Sequence, residues 1–116
     1  MINTLNHKED ANNILNTSKK IITEGIEKAG YKVEAIYLFG SRARGDYKED
    51  SDWDFFVVIN KDISFKDERH IIAKLQRIMA ELNISNDIIV NSKNELNKNN
   101  NVGNITYYAL KYGVMI

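Results

Sequence analysis

Seven consecutive residues, Trp53-Asp54-Phe55-Phe56-Val57-Val58-Ile59, are apolar on both faces of an extended chain apart from Asp54. A strand with one face in water alternates polar and apolar side chains, whereas a run apolar in both phases has to be covered on both sides. The segment therefore predicts a central strand, and the rest of the chain has to supply its neighbours. Val33-Glu34-Ala35-Ile36-Tyr37-Leu38-Phe39, rich in β-branched and aromatic residues and ended by Gly40, is the second strand signal. A short third strand follows in Ile88-Ile89-Val90, led by Asn86 and Asp87.

Helical periodicity fills the intervals. Residues 9–29 place Ile14, Ile21, Ile22, Ile26 and Ala29 near helical spacing, with Gly30 as the stop. Ser64 and Asp67 form a capping-box signal ahead of one stripe, Ile71, Ile72, Leu75, Ile78, Met79 and Leu82. Residues 91–101 read as a polar, asparagine-rich connector. After it, Ile105, Tyr108, Ala109 and Tyr112 share a helical face that stops at Gly113. The 116 residues have room for a single domain, 1–116, with one core. The expected fold is α/β (α+β), a small mixed sheet with helices packed on one face. The short link between the first two strands allows an antiparallel pair, and the intervening helix lets the third strand run parallel to the second.

The exception in the central strand carries the chemistry. Asp52 and Asp54 are two residues apart at the start of that strand, which points both side chains to one face and Trp53 and Phe55 to the other. Adjacent carboxylates repel one another unless a cation lies between them. Magnesium prefers oxygen ligands, and a pair of such ions can clamp a phosphoryl group undergoing in-line displacement. Asp87 opens the neighbouring strand in phase with Ile89. If the two strands are adjacent it joins the pair, completing a metal site and accepting the proton of an attacking hydroxyl.

Gly40-Ser41 is the complementary half. Glycine lets a phosphate approach the main chain, Ser41 adds a hydroxyl donor, and a helical turn starting there favours an anion. Arg42 and Arg44 are candidates to neutralise a triphosphate or orient an acceptor; both are equally readable as solvated surface, with Arg44 pairing to Asp46 or Glu49. An Asp-x-Asp pair alone is common on surfaces, and Gly-Ser after a strand is usually only a turn. Strand, Gly-Ser, ten residues, Asp-x-Asp and a hydrophobic strand in succession are far more specific.

Gly40-Ser41, the ten-residue spacer and Asp52-Trp53-Asp54 resemble the signature of the DNA polymerase β-like nucleotidyltransferase superfamily. The longer string GSRARGDYKEDSDWDFFVV is similar to its small bacterial minimal nucleotidyltransferase (MNT) branch. The likeness runs from about Val33 to Val90. It implies nucleotidyl transfer with two Mg2+ ions and ATP as substrate, with Gly40 and Ser41 at the triphosphate and Asp52, Asp54 and Asp87 at the metals. The resemblance further implies an antitoxin that attaches AMP to a tyrosine of a separate HEPN-type ribonuclease toxin.

Composition narrows the alternatives. A net charge of zero supplies no global field for nucleic acid or an anionic membrane, so a long polynucleotide is not the expected partner. The absence of cysteine excludes disulfides and cysteine-ligated zinc and fits a reducing compartment. No apolar run is long enough for a membrane span or signal peptide, which makes a soluble cytoplasmic protein the default. Trp53 is expected in the core, His7 and His70 at the surface, and Tyr107, Tyr108 and Tyr112 in core or interface. Two other functions remain open. One keeps the chemistry but uses a small-molecule acceptor such as an aminoglycoside. The other is an antitoxin that acts by occlusion alone, with Tyr112-Gly113-Val114-Met115-Ile116 as part of the interface.

Overall fold

The computed structural model describes residues 7–99, 109 and 111–116. The elements run α1 (His7–Lys28), β1 (Val33–Phe39), α2 (Ser41–Arg44), β2 (Trp53–Ile59), α3 (Phe65–Glu81), β3 (Asn86–Ser92), α4 (Lys93–Asn99) and β4 (Val114–Met115). The sheet order is β3-β2-β1-β4. β2 lies antiparallel to β1 and parallel to β3, and β4 adds antiparallel to the outer side of β1. The mixed sheet and the interior position of β2 agree with the expectation from its double-sided apolar run.

Trp53, Phe55, Val57 and Ile59 of β2 face the main core. Ile36 and Leu38 of β1 and Ile88 and Val90 of β3 continue that face, and Ile22 and Ile26 of α1 with Ile71, Leu75 and Met79 of α3 cover it. The opposite face buries Phe56 and Val58 under Ala109, with Ala35, Tyr37, Phe39, Ile89 and Leu96 packed around them. The two long helices thus share one face as expected, while the second face carries a smaller apolar cluster that includes Leu96 of α4.

The helix ends follow local chemistry. Gly30, at φ 95°, donates its N–H to the Glu27 carbonyl at 3.0 Å just past α1. Ser64 takes the extended conformation at the start of α3 and its hydroxyl accepts the Asp67 N–H at 3.1 Å. Ser64→Ala is expected to destabilise the fold by about 1 kcal/mol, read as a lowered Tm with unchanged far-UV circular dichroism.

The stretch from Asn91 is not a connector. β3 continues through Ser92, and α4 occupies Lys93–Asn99. Ser92 is fully buried, donates its hydroxyl to Asp62 and accepts the Glu95 N–H at 3.1 Å. That second bond is one half of a capping box spelled Ser92-Lys93-Asn94-Glu95, a start signal hidden by the asparagine-rich composition. The bond from Ser92 also holds the Asp62 carboxyl below its ordinary range, with Asn94 and Lys98 acting the same way against desolvation.

β4 had no strand signal, since two residues carry no readable period. Its Ile116 N–H donates to the Ile36 carbonyl at 2.9 Å and Ile116 packs on the main core, while Val114 and Met115 stay exposed. Of the C-terminal helical face, Ile105 and Tyr108 lie outside the described residues, as does Tyr107. Ala109 is buried, Lys111 and Tyr112 are helical, and the Gly113 N–H closes on the Ala109 carbonyl at 2.9 Å. Trp53 is buried and His70 exposed, as expected; the His7 side chain is outside the described set. Among the described residues no helix is long and apolar enough to cross a membrane.

Candidate active site

Asp54 is the second residue of β2, flanked by Phe39 on β1 and by Asp87 on β3. The parallel register therefore sets the two carboxylates side by side, on the face turned away from α1 and α3. Asp52 precedes the strand and is exposed. Ser85 donates its hydroxyl to Asp52 Oδ1, and the Ser85 carbonyl accepts the Trp53 N–H at 2.9 Å. The segments entering β2 and β3 are thus tied together at the level of the acids.

These acids feel one another. The Asp54 carboxyl is pushed above its ordinary value of 3.8 by desolvation first, then by the negative charges of Asp87 and Asp52, with Arg44 opposing. Among the described residues no three His, Cys, Asp or Glu side chains are gathered into a ready metal cage; Asp52 is turned onto Ser85. Magnesium does not require such a cage, because it binds through one or two carboxylates together with water and substrate phosphates. Two adjacent hard oxygen donors, one with its proton affinity raised by its neighbours, fit that mode.

The turn after β1 closes on the same point. Gly40 has φ 74° and ψ −159°, and a Cβ built on it would lie 2.1 Å from Asp54 Oδ2. Glycine is needed there twice, for the left-handed backbone and for the space that Asp54 occupies. The Ala43 and Arg44 N–H groups both reach the Gly40 carbonyl at 3.1 Å, and Gly45, at φ 91°, closes the turn onto the Ser41 carbonyl at 2.9 Å. The leading N–H groups of such a turn have no intrahelical acceptor. Gly40-Ser41 therefore presents main-chain donors beside the carboxylates.

The two arginines part company. Arg44 is exposed, pairs with Asp46 at 3.3 Å and lends positive charge to Asp54. Arg42 is turned inward onto the loop. It donates from Nη2 to the Glu49 carbonyl at 2.9 Å and from Nε and Nη2 to the Ser51 carbonyl at 3.2 and 3.0 Å. Its guanidinium carbon lies 4.4 Å from the ring centroids of both Tyr47 and Trp53.

The family model described as "Polymerase beta, Nucleotidyltransferase" matches residues 19–104, most of the chain. The chain belongs to the polymerase β nucleotidyltransferase family. Two proteins of Methanocaldococcus jannaschii, both named as candidate protein adenylyltransferases, are 34% and 39% identical to it over 59 and 69 residues. Those stretches cover 51% and 58% of this chain and 56% and 64% of the relatives, so the likeness spans little more than half of each. A chain in the crystal structure of a mutant MntA-HpeT toxin–antitoxin pair shares the fold, with a TM-score of 0.56 at 17% identity over 86% of this chain and 69% of that one.

In this polymerase β-type domain Asp54 and Asp87 are register partners, Gly40 packs against Asp54, and Asp52 and Arg44 are near enough for their charges to act on it. Sequence reading missed Ser85. A lone serine before a strand has no distinguishing pattern, and only the parallel pairing of β3 with β2 brings it to Asp52.

Proposed function

We propose that this chain transfers AMP from ATP to a hydroxyl acceptor, and that the acceptor is a tyrosine of a separate HEPN-type ribonuclease toxin that the transfer silences. The observation that carries the chemistry is the register pair Asp54–Asp87 with Gly40 packed against Asp54, which brings a phosphate-tolerant turn and a carboxylate pair to one point. Asp52, Asp54 and Asp87 would hold Mg2+, which when bound would supply positive charge to neutralise the triphosphate and the developing charge of the displacement. Gly40 and Ser41 cradle the triphosphate with main-chain N–H groups and the serine hydroxyl. Asp87 accepts the proton of the attacking hydroxyl. The hydroxyl oxygen forms a bond to the α-phosphorus, the bond from that phosphorus to the bridging oxygen breaks, and pyrophosphate leaves. Most of the acceleration then comes from positioning and charge. The names of the M. jannaschii relatives and of the MntA-HpeT pair support the choice of a protein acceptor and a toxin partner.

Incubation with the product of the adjacent gene, Mg2+ and each nucleoside triphosphate, read by intact mass, tests this directly. An AMP-sized gain on the partner, dependent on Mg2+ and removed by Asp52→Asn, is the expected result. No gain on the partner with any nucleotide overturns it. A second reading is favoured by the exposed C-terminal segment, where Tyr112, Val114 and Met115 are each more than half exposed: silencing by occlusion. Neutralisation of the toxin by an Asp52/Asp54 double variant without ATP selects that reading.

A further inference from the structure

Asp52 lies outside the sheet ladder, at the end of the exposed polar loop of residues 45–52. No strand pairing fixes its backbone, yet a cation ligand has to be held in place before the cation arrives. Both of its chain neighbours are pinned from elsewhere. Ser51, immediately before it, has its carbonyl gripped by the fork of Arg42 at 3.2 and 3.0 Å. Trp53, immediately after it, gives its N–H to the Ser85 carbonyl at 2.9 Å. The carboxylate itself is oriented by the Ser85 hydroxyl on Oδ1, which leaves Oδ2 for another partner.

Arg42 suits this task by its shape. Its guanidinium carbon lies over the rings of Tyr47 and Trp53, 4.4 Å from each centroid, and its fork is spent on the carbonyls of Glu49 and Ser51. A guanidinium held by two rings and two carbonyls in this way spans a loop as a strut, a role that the point charge of lysine does not reproduce. We infer that Arg42 and Ser85 are positioning residues that hold Asp52 as a cation ligand, and that Arg42 is not a phosphate contact. The inference rests on the nucleotidyltransferase reading above.

Mn2+ binding to the nucleotide-free protein, followed by electron paramagnetic resonance of the free ion, separates these roles when set beside ATP binding in EDTA. Arg42→Lys and Ser85→Ala are each expected to weaken Mn2+ binding about tenfold, as removal of a partner of a ligating carboxylate does. Ser85→Thr restores it, and ATP affinity in EDTA stays within about twofold of the unsubstituted protein for all three. In an Asp52→Asn background neither substitution weakens Mn2+ further, an outcome that general loosening of the fold does not produce. Unchanged Mn2+ binding in Arg42→Lys, or a fall in ATP affinity in EDTA with Mn2+ binding intact, overturns the inference alone. An unsubstituted protein that binds no Mn2+ overturns it together with the functional reading.

Discussion

Asp54→Asn is expected to abolish nucleotide transfer while making the metal-free protein more stable at neutral pH. On the proposed function the loss of rate, on the order of 10³-fold, follows from removing a cation ligand at the point where charge develops. The gain in stability follows from the environment of the carboxyl. Desolvation and the charges of Asp87 and Asp52 raise its pKa above 3.8, more than Arg44 lowers it. The folded chain therefore binds this proton more tightly than the unfolded chain does. Its contribution to stability is complete below 3.8 and is lost as pH rises through the raised folded value. Asparagine has nearly the same shape and no charge to lose. The metal-free variant should melt above the unsubstituted protein at pH 7, and the two Tm values should converge as pH falls below 4. Added Mg2+ should raise the Tm of the unsubstituted protein and leave the variant nearly unmoved. A variant that keeps full transfer activity sinks the assignment of Asp54; equal Tm values at pH 7 in EDTA sink the account of its strain.

Gly40→Ala should cost about 10²-fold in activity through a single methyl group. The new Cβ falls 2.1 Å from Asp54 Oδ2, closer than atoms can approach, and the obstacle is the far end of a side chain rather than backbone. Asp54 is therefore the group that gives way, by about 1 Å, and a displacement of that size at a reacting centre costs about 10²-fold. The backbone at φ 74° and ψ −159°, a region essentially reserved for glycine, adds a penalty of about 1–3 kcal/mol for any residue with a Cβ. Gly45→Ala separates the two effects. Gly45 also has a positive φ, 91°, in the milder left-handed helical region, and open space where its Cβ would go. Both variants should lose stability, measured by urea unfolding, but only Gly40→Ala should lose about two orders of magnitude in transfer. Equal losses of activity would mean that the backbone, and not the contact with Asp54, governs this turn.

Much of this site was legible in the residues alone because its parts are local. Asp52 and Asp54 share a face through strand alternation, Gly40 ends a strand at a turn, and the apolar double face of residues 53–59 demands an interior position. The same locality explains α3, whose start is written in Ser64 and Asp67. It also accounts for an error: Ser92-Lys93-Asn94-Glu95 spells the start of α4, and the surrounding asparagines obscured it.

Arg42 marks the limit of such reading. A cation next to Gly-Ser is equally suited to a phosphate or to a loop, and nothing within a few residues chooses between them. Tyr47 and the Ser51 carbonyl, reached across the loop, and Trp53, held in the core, make the choice. The Asp54–Asp87 pairing is of the same kind, since it depends on the parallel register that α3 permits but does not dictate. β4 and the bond from Ser85 to Asp52 depend wholly on partners far away in the chain.

The central strand, the carboxylate pair at its head and the glycine turn before it are written in local order, because side-chain period and backbone preference act between near neighbours. Folding alone brings Asp87 beside Asp54, Ser85 onto Asp52 and Arg42 onto its loop. Those outcomes come from competition among donors and acceptors brought together by strand register and packing, and that competition exists only once the chain has folded.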